Sequence, residues 1–365
     1  MLNYRQHKDL RKSAISVSFA FNQLHFKKPV KTSRGLYSVR DVWYVKILSN
    51  EQSCRWGIGE CAPLPDLSCD ALPDYAQILT DACRHLEMKG YLDTERLRPY
   101  PSILFGLETA LRHFETGSFA LWDTPFSRGE SGIPINGLIW MDDYRKMLDQ
   151  IETKISHGFR CIKLKIGAID FEEELALIRH IRDRFPAKDL ELRVDANGAF
   201  TPEEAPDKLN RLAKLDIHSI EQPIRAGQWE AMAQLIAKTS LPVALDEELI
   251  GVHYPADKQG LLTTIRPKYI VLKPSLHGGL CGCDEWIEEA GKLGIRWWMT
   301  SALESNIGLN AIAQKCATFN NSLPQGLGTG QLFTDNFDLP LFVRGDCLWV
   351  GGWNADEADS ADFRR

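Results

Sequence analysis

Hydrophobic and polar residues alternate in two early stretches, Ile15-Ser-Val-Ser-Phe19 and Val42-Trp-Tyr-Val-Lys-Ile47. A period of two predicts half-buried strands, and the loop-forming Lys31-Thr-Ser-Arg-Gly35 falls between them. Residues 15–47 therefore read as antiparallel sheet with a mobile loop. From Pro73 to Phe119 the apolar spacing turns helical, as at Ile103, Leu107, Ala110, Leu111 and Phe114. The first third of the chain thus looks like a separate α+β unit.

From Ile133 onward short apolar strands alternate with helical stretches, the pattern of a parallel sheet. The candidate strands are 133–139, 161–166, 190–195, 219–221, 243–246, 269–273, 296–300 and a segment around Gly326-Leu-Gly328. The helices between them carry start signals. Asp170 with Glu173 forms a capping box, and Thr201-Pro-Glu-Glu204 puts proline at a first helical position. Eight βα units over about 200 residues match the lower end of the (β/α)8 barrel range. A doubly wound open sheet is the runner-up, but no Gly-rich dinucleotide turn follows the first strand. Residues 339–350 are again strand-like and follow the eighth unit, and a return to the first domain would bury them. The expected domains are 1–125, an α+β unit; 126–333, the barrel; and 334–365, a returning segment with a frayed acidic tail from Asn354.

Composition narrows the class. At 365 residues with 44% hydrophobic and 25% charged positions, the chain has the make-up of a globular protein with a sizeable core. A net charge of −6 supplies no basic field for a phosphate backbone, so nucleic acid is excluded as an expected partner. No apolar run approaches a membrane span, and Met1–Ser13 lacks the apolar core of a secretion signal. Nine scattered cysteines favour reduced thiols and a cytoplasmic enzyme, with Cys281 and Cys283 read as idle thiols rather than a metal knuckle. Monomer and homo-oligomer are both compatible with the sequence.

The chemistry lies at the predicted strand ends. Lys163 and Lys165 share one strand face, with Ile162, Leu164 and Ile166 on the other. Asp195, Glu221 and Asp246 end the next three strands about one βα unit apart, Lys273 ends the sixth, and Ser301 with Glu304 follows the seventh. Catalytic residues sit at this end of a barrel. Three converging carboxylates make an all-oxygen site suited to Mg²⁺. Flanking lysines suit removal of a proton next to a carboxylate, one amine taking the proton while the metal stabilises the enediolate. A Lys-x-Lys pair alone is usually a solvated strand face; three carboxylates at unit spacing reverse that preference. Glu247 and Glu248 are alternative ligands, and strand alternation puts Glu248 on the face of Asp246. Arg193 shares the face of Asp195 and Asn197, where it orients substrate or pairs with a carboxylate. Glu304 is expected to hydrogen-bond a lysine, His253 and His277 to be loop residues, and Trp297-Trp298 to be packing.

The ordered set Lys163-Leu-Lys165, Asp195-Ala-Asn-Gly198, Glu221-Gln-Pro223, Asp246-Glu-Glu248 and Lys273-Pro-Ser275 resembles the enolase superfamily, muconate-lactonizing subgroup, over essentially the whole chain. Through residues 300–309 and 326–333 it resembles the o-succinylbenzoate synthase family within it. The resemblance implies that Asp195, Glu221 and Asp246 bind Mg²⁺, with Mn²⁺ the other candidate. Lys165 would be the general base, Lys163 would lower its pKa, and Lys273 would stabilise the enediolate from the opposite face. The implied reaction on this small-molecule carboxylate is syn dehydration of 2-succinyl-6-hydroxy-2,4-cyclohexadiene-1-carboxylate in menaquinone biosynthesis. The first domain would cap the barrel, with residues 31–37 and 57–65 closing over substrate. Ser301 and the backbone near Gly328 and Gly330 would hold the succinyl carboxylate.

Rival expectations are a racemase of N-succinylamino acids or a dipeptide epimerase, using Lys165 and Lys273 as opposed bases. Gly328-Thr-Gly330 stands where dipeptide epimerases of this family carry Asp-x-Asp, which counts against dipeptides. A Schiff-base aldolase leaves three carboxylates unexplained, and a scaffold protein predicts the loss of a ligand or lysine, which has not happened.

Overall fold

The computed structural model describes residues 15–32, 35–51, 55–140 and 142–353. The expected amino-terminal and carboxy-terminal tails, and Ser33 and Arg34 of the expected mobile loop, lie outside them. Strands β1 (Ile15–Thr32), β2 (Gly35–Ser49) and β3 (Trp56–Cys61) form an antiparallel sheet in that order. The β1–β2 register runs from Ile15↔Ser49 to Thr32↔Gly35 with a slip between His25 and Val30. Helices α1 (Tyr75–Lys89), α2 (Thr94–Leu97) and α3 (Pro101–Thr116) follow. The expected helical stripe of α3 is buried throughout. It lies backbone to backbone on β3 because Gly57, Gly59 and Gly106 have no Cβ to hold them apart.

The barrel proper begins with a divided element. The expected strand at 133–139 splits into β4 (Ile133–Pro134) and β5 (Gly137–Ile139). Strand β5 then alternates with helices through α4 (Tyr144–Ser156), β6 (Cys161–Lys165), α5 (Phe171–Arg184), β7 (Glu191–Asp195), α6 (Ala205–Ala213), β8 (Ser219–Glu221), α7 (Trp229–Lys238) and β9 (Val243–Leu245). It continues through α8 (Pro255–Ile265), β10 (Tyr269–Leu272), α9 (Gly279–Lys292), β11 (Arg296–Met299) and α10 (Asn306–Ala317). Strands β5 to β11 form one seven-stranded sheet in chain order, and every neighbour pair is parallel. The eighth position is not a full strand. Gln325 and Gly326 bridge Ile135 on one side and Thr300 on the other, which closes the ring.

Two local details differ from expectation. At α5 the Asp170 carboxylate accepts from the Glu172 amide, but Glu173 stays exposed. It is Glu174 that folds back onto the amides of Gly167 and Ala168. At the carboxy end, β12 (Leu341–Arg344) and β13 (Cys347–Val350) do not return to the first domain. The hairpin pairs with β4, and Leu341, Leu348 and Val350 join the barrel core. Splitting β4 from β5 leaves β4 free to take this partner. The segment just before it is what touches the first domain: Phe26 bridges Phe333, and Tyr44 packs edge-on against Phe337.

Candidate active site

The register of adjacent strands assembles the site. Lys165 pairs with Asp195, and Asp195 with Glu221. Glu221 pairs with Ala244, so Asp246, two residues on, continues that face at the strand end. Parallel strands share their inward faces, so the lysines and carboxylates meet at one mouth of the barrel, as the spacing predicts. Lys163 Nζ lies 3.0 and 3.1 Å from the Glu221 oxygens and 3.3 Å from Asp195 Oδ2. Lys165 Nζ reaches Asp195 Oδ2 at 3.1 Å and Asn197 Oδ1 at 2.7 Å. From the far side of the cluster Lys273 Nζ donates to Asp246 Oδ2.

All these groups are buried or nearly so, and their charges set each other. Burial opposes ionisation of Asp195, but the ammonium groups of Lys165, Lys163 and Lys273 hold its carboxyl well below the usual range. Burial and the neighbouring Asp195 push Glu221 up to about 8. Burial disfavours the charged forms of Lys163 and Lys273, but the carboxylates around them raise both above the ordinary lysine value.

The cluster floors a cavity of about 570 Å³. Lys163, Lys165, Asp195, Asn197, Glu247 and Lys273 line its polar side, and Tyr37, Leu64, Leu67, Trp140 and Leu332 line an apolar wall. Tyr37, Leu64 and Leu67 come from the first domain. Of the segment expected to close over substrate at 57–65, Trp56–Cys61 is strand, and Leu64 beyond it lines the cavity. Ser301 and Gly328 also line the cavity, and there Ser301 Oγ accepts from Leu303 N at 3.0 Å and Thr329 Oγ1 at 2.8 Å.

Several expected roles shift. Gly330 does not line the cavity; its carbonyl accepts from Asn336 Nδ2, and an added Cβ would press on Leu309 and Asn306. Arg193 is not a substrate contact either. It lies one layer below the mouth, 1% exposed, with Nε on Glu191 at 2.7 Å and its guanidinium 4.2 Å over the Trp298 ring. Strand alternation placed Glu248, not Glu247, beside Asp246. The chain leaves the strand for a 3₁₀ turn at Glu247–Leu249, so alternation fails. Glu247 faces the cavity and accepts from Asn197 Nδ2 at 3.0 Å, while Glu248 turns away onto Gln222 and the Gly227 amide. Glu304 bonds Ser275 Oγ and the Ala302 amide, not a lysine. His277 is buried behind Lys273, its Nδ1 accepting from the Lys273 amide at 3.0 Å, and burial pushes its pKa down to about 3. Trp298 is buried packing, as expected.

Asn197 is a cavity residue to which the sequence reading assigns no role. It adopts φ +44, a region Asn tolerates, and so reaches both Lys165 and Glu247. Its place in Asp195-Ala-Asn-Gly198 is the signal that pointed to it.

The donor set fits a hard divalent cation. Three carboxylates end adjacent strands, and the buried Asp246 Oδ1 and Glu247 Oε2 have no hydrogen-bond partner. As arranged, each of the three carboxylates is engaged by a lysine, and among the described residues no three acidic, His or Cys groups are drawn into a ready ligand set.

Comparison with known proteins agrees with this geometry. Residues 146–350 match the family model described as enolase C-terminal domain-like. The chain is 42% identical to an o-succinylbenzoate synthase of Desulfotalea psychrophila, over 93% of this chain and all of that one. The crystal structure of MenC from the same organism superposes with a TM-score of 0.79 at 40% identity, covering 93% of this chain and 100% of that chain. A dipeptide epimerase of Enterococcus faecalis, solved with Mg and the dipeptide L-Leu-L-Tyr, shares the fold at 19% identity and a TM-score of 0.78, over 93% of this chain and 98% of its own. In sequence and in fold the chain belongs to the enolase superfamily, in the muconate-lactonizing branch that includes the o-succinylbenzoate synthases.

Proposed function

We propose that this protein is an o-succinylbenzoate synthase. It would dehydrate 2-succinyl-6-hydroxy-2,4-cyclohexadiene-1-carboxylate to 2-succinylbenzoate, with loss of water, as a step of menaquinone biosynthesis. The observation that carries the reading is Lys165 and Lys273 facing one carboxylate cluster from opposite sides of a single cavity. The 42% identity to a synthase over nearly the whole chain supports the same substrate.

The residues divide the work by position. Lys165, held by Asp195 and Asn197, removes the proton at C1, next to the ring carboxylate. The amine acts in its neutral form, and Asn197 and Asp195 keep it aimed. The electron pair passes into the carboxylate as an enediolate, and Lys273 donates a hydrogen bond to that charge from the other face. Collapse of the enediolate expels the C6 hydroxyl, which takes the proton back from Lys165. One base on one face serves both transfers, which is why syn elimination suits this arrangement. Asp195, Glu221 and Asp246 would hold Mg²⁺, or Mn²⁺ in its place, which supplies fixed positive charge beside the developing enediolate. Ser301 and the backbone at Gly328 would bind the succinyl carboxylate, and the wall of Leu64, Leu67 and Trp140 would cover the ring. The eight described cysteines are all free, which suits a reducing compartment such as the cytoplasm.

Racemisation of N-succinylamino acids is the second reading, because Lys273 is placed to act as an opposing base. Two incubations separate them. The first follows the ultraviolet absorbance of the cyclohexadiene carboxylate with purified protein, with Mg²⁺ and with chelator. The second follows α-proton exchange of N-succinylamino acids in deuterated water. Metal-dependent aromatisation supports the synthase; no aromatisation with Mg²⁺ present rejects it.

A further inference from the structure

Arg40, on β2 of the first domain, is 2% exposed, and its guanidinium spans the seam between the two domains. Nη1 donates to the Pro63 carbonyl at 2.6 Å and Nη2 to that of Ala62, on the segment leading to the cavity residue Leu64. Nη2 and Nε also donate, at 3.4 Å each, to the carbonyls of Ala302 and Leu303, which line the cavity from the barrel side. All four bonds go to main-chain oxygens of two loops that belong to different domains. The buried carboxylates of Glu60 and Glu304 flank the charge.

Burying a guanidinium is costly, and a planar fork of five donors is the side chain that can hold several carbonyls in one fixed arrangement. The loop it holds needs holding. Leu303 sits at φ +65, a conformation unfavourable for a branched side chain, and its amide is the group that donates to Ser301 Oγ. Glu304 fastens the same loop from behind through the Ala302 amide and ties it to Ser275, two residues beyond Lys273. We infer that Arg40 is a positioning residue: it latches the 62–64 and 302–303 segments together, so that seating of the first domain sets the shape of the Ser301 pocket. The inference rests on the reading above, in which that pocket takes the succinyl carboxylate.

The test compares Arg40→Met and Arg40→Lys with the wild type, each first checked for a native circular dichroism spectrum. Arg40→Met should raise KM about tenfold or more while kcat stays within about threefold, and Arg40→Lys, with charge but no fork, should fall between. Inhibition by 2-succinylbenzoate should weaken by the same factor as KM, and inhibition by benzoate, which lacks the succinyl arm, should weaken less. Amide exchange should quicken in 62–67 and 301–305 together. Wild-type KM in the variants, equal losses for both inhibitors, or faster exchange in only one of the loops overturns the inference. If Arg40→Met does not fold, Arg40→Lys decides by the same criteria. Failure of the synthase reading would show in the wild type itself, as no turnover, and is thereby distinct.

Discussion

Replacing Gly59 by alanine tests whether the first domain is held together by backbone contact between β3 and α3. A Cβ at this position would stand 2.8 Å from the amide nitrogen of Ala110 and closer still to the carbonyl oxygen of Gly106. Both are main-chain atoms of α3, so no side chain can rotate away. Ordinary contact begins at 3.4 Å, so relief at Ala110 alone needs 3.4 − 2.8 = 0.6 Å of separation. Movement of that size unpacks a helix whose apolar residues are almost all below 3% exposed. Overpacking a core costs about 1–3 kcal/mol and occasionally more; with two facing backbones, about 3 kcal/mol is expected. The neighbouring Glu60, which caps the start of α10 through Ser305 and Gly308, would be dragged with the strand. Gly260→Ala, at an exposed position of α8, is the matched control, since an added Cβ there meets nothing within 4 Å, and it should stabilise by about 0.5–1 kcal/mol. Urea unfolding followed by circular dichroism, compared at equal m, reads both. A Gly59→Ala protein within about 0.5 kcal/mol of wild type, the range of an innocuous surface change, would refute the backbone-contact account.

Further expectations concern the site and the seam between domains. Lys273→Ala removes the donor facing the enediolate and should lower kcat by about 10²–10³-fold in steady-state kinetics. Lys273→Arg should keep measurable dehydration, whereas a racemase relying on Lys273 as a base would lose turnover. Asn197→Ala takes away the 2.7 Å contact that aims Lys165 and should cut kcat about tenfold with little change in KM. Glu108 of α3 accepts from the Leu280 and Cys281 amides at the start of α9, and burial pushes its carboxyl up to about 7. A folded-state value above the unfolded 4.5 means the native state holds the proton more tightly, so stability contributed at low pH is lost as pH rises from about 4.5 through 7. Glu108→Gln should therefore flatten the fall in urea stability between pH 5 and 8; an unchanged slope would count against it.

Much of the site is legible along the chain because a parallel barrel repeats one geometry: each strand ends at the same mouth, and a residue's parity on its strand decides whether it faces in. That rule places Lys163, Lys165, Asp195 and Glu221 without further information, and it places Asp246 as the last residue for which parity still holds. One residue later the backbone turns into a 3₁₀ helix, and Glu247 and Glu248 exchange the faces that alternation assigns. Arg193 obeys parity but sits a layer too deep, since facing inward does not say how far below the mouth a side chain ends. The eighth strand is legible only as a position, because Gln325 and Gly326 close the ring through isolated bridges. Contacts across the seam leave no local trace. Arg40 meets Leu303 across 263 residues, and nothing in the pattern around either one names the other.

Replacing Lys165 by alanine tests the central claim, that this amine moves the proton, most directly. The absorbance assay would follow wild type and variant at saturating substrate with Mg²⁺ present, with native folding of the variant checked by circular dichroism. A fall in kcat of about 10²–10⁴-fold, the usual weight of general acid–base catalysis, is the expected result. A folded Lys165→Ala protein turning over at the wild-type rate would contradict it.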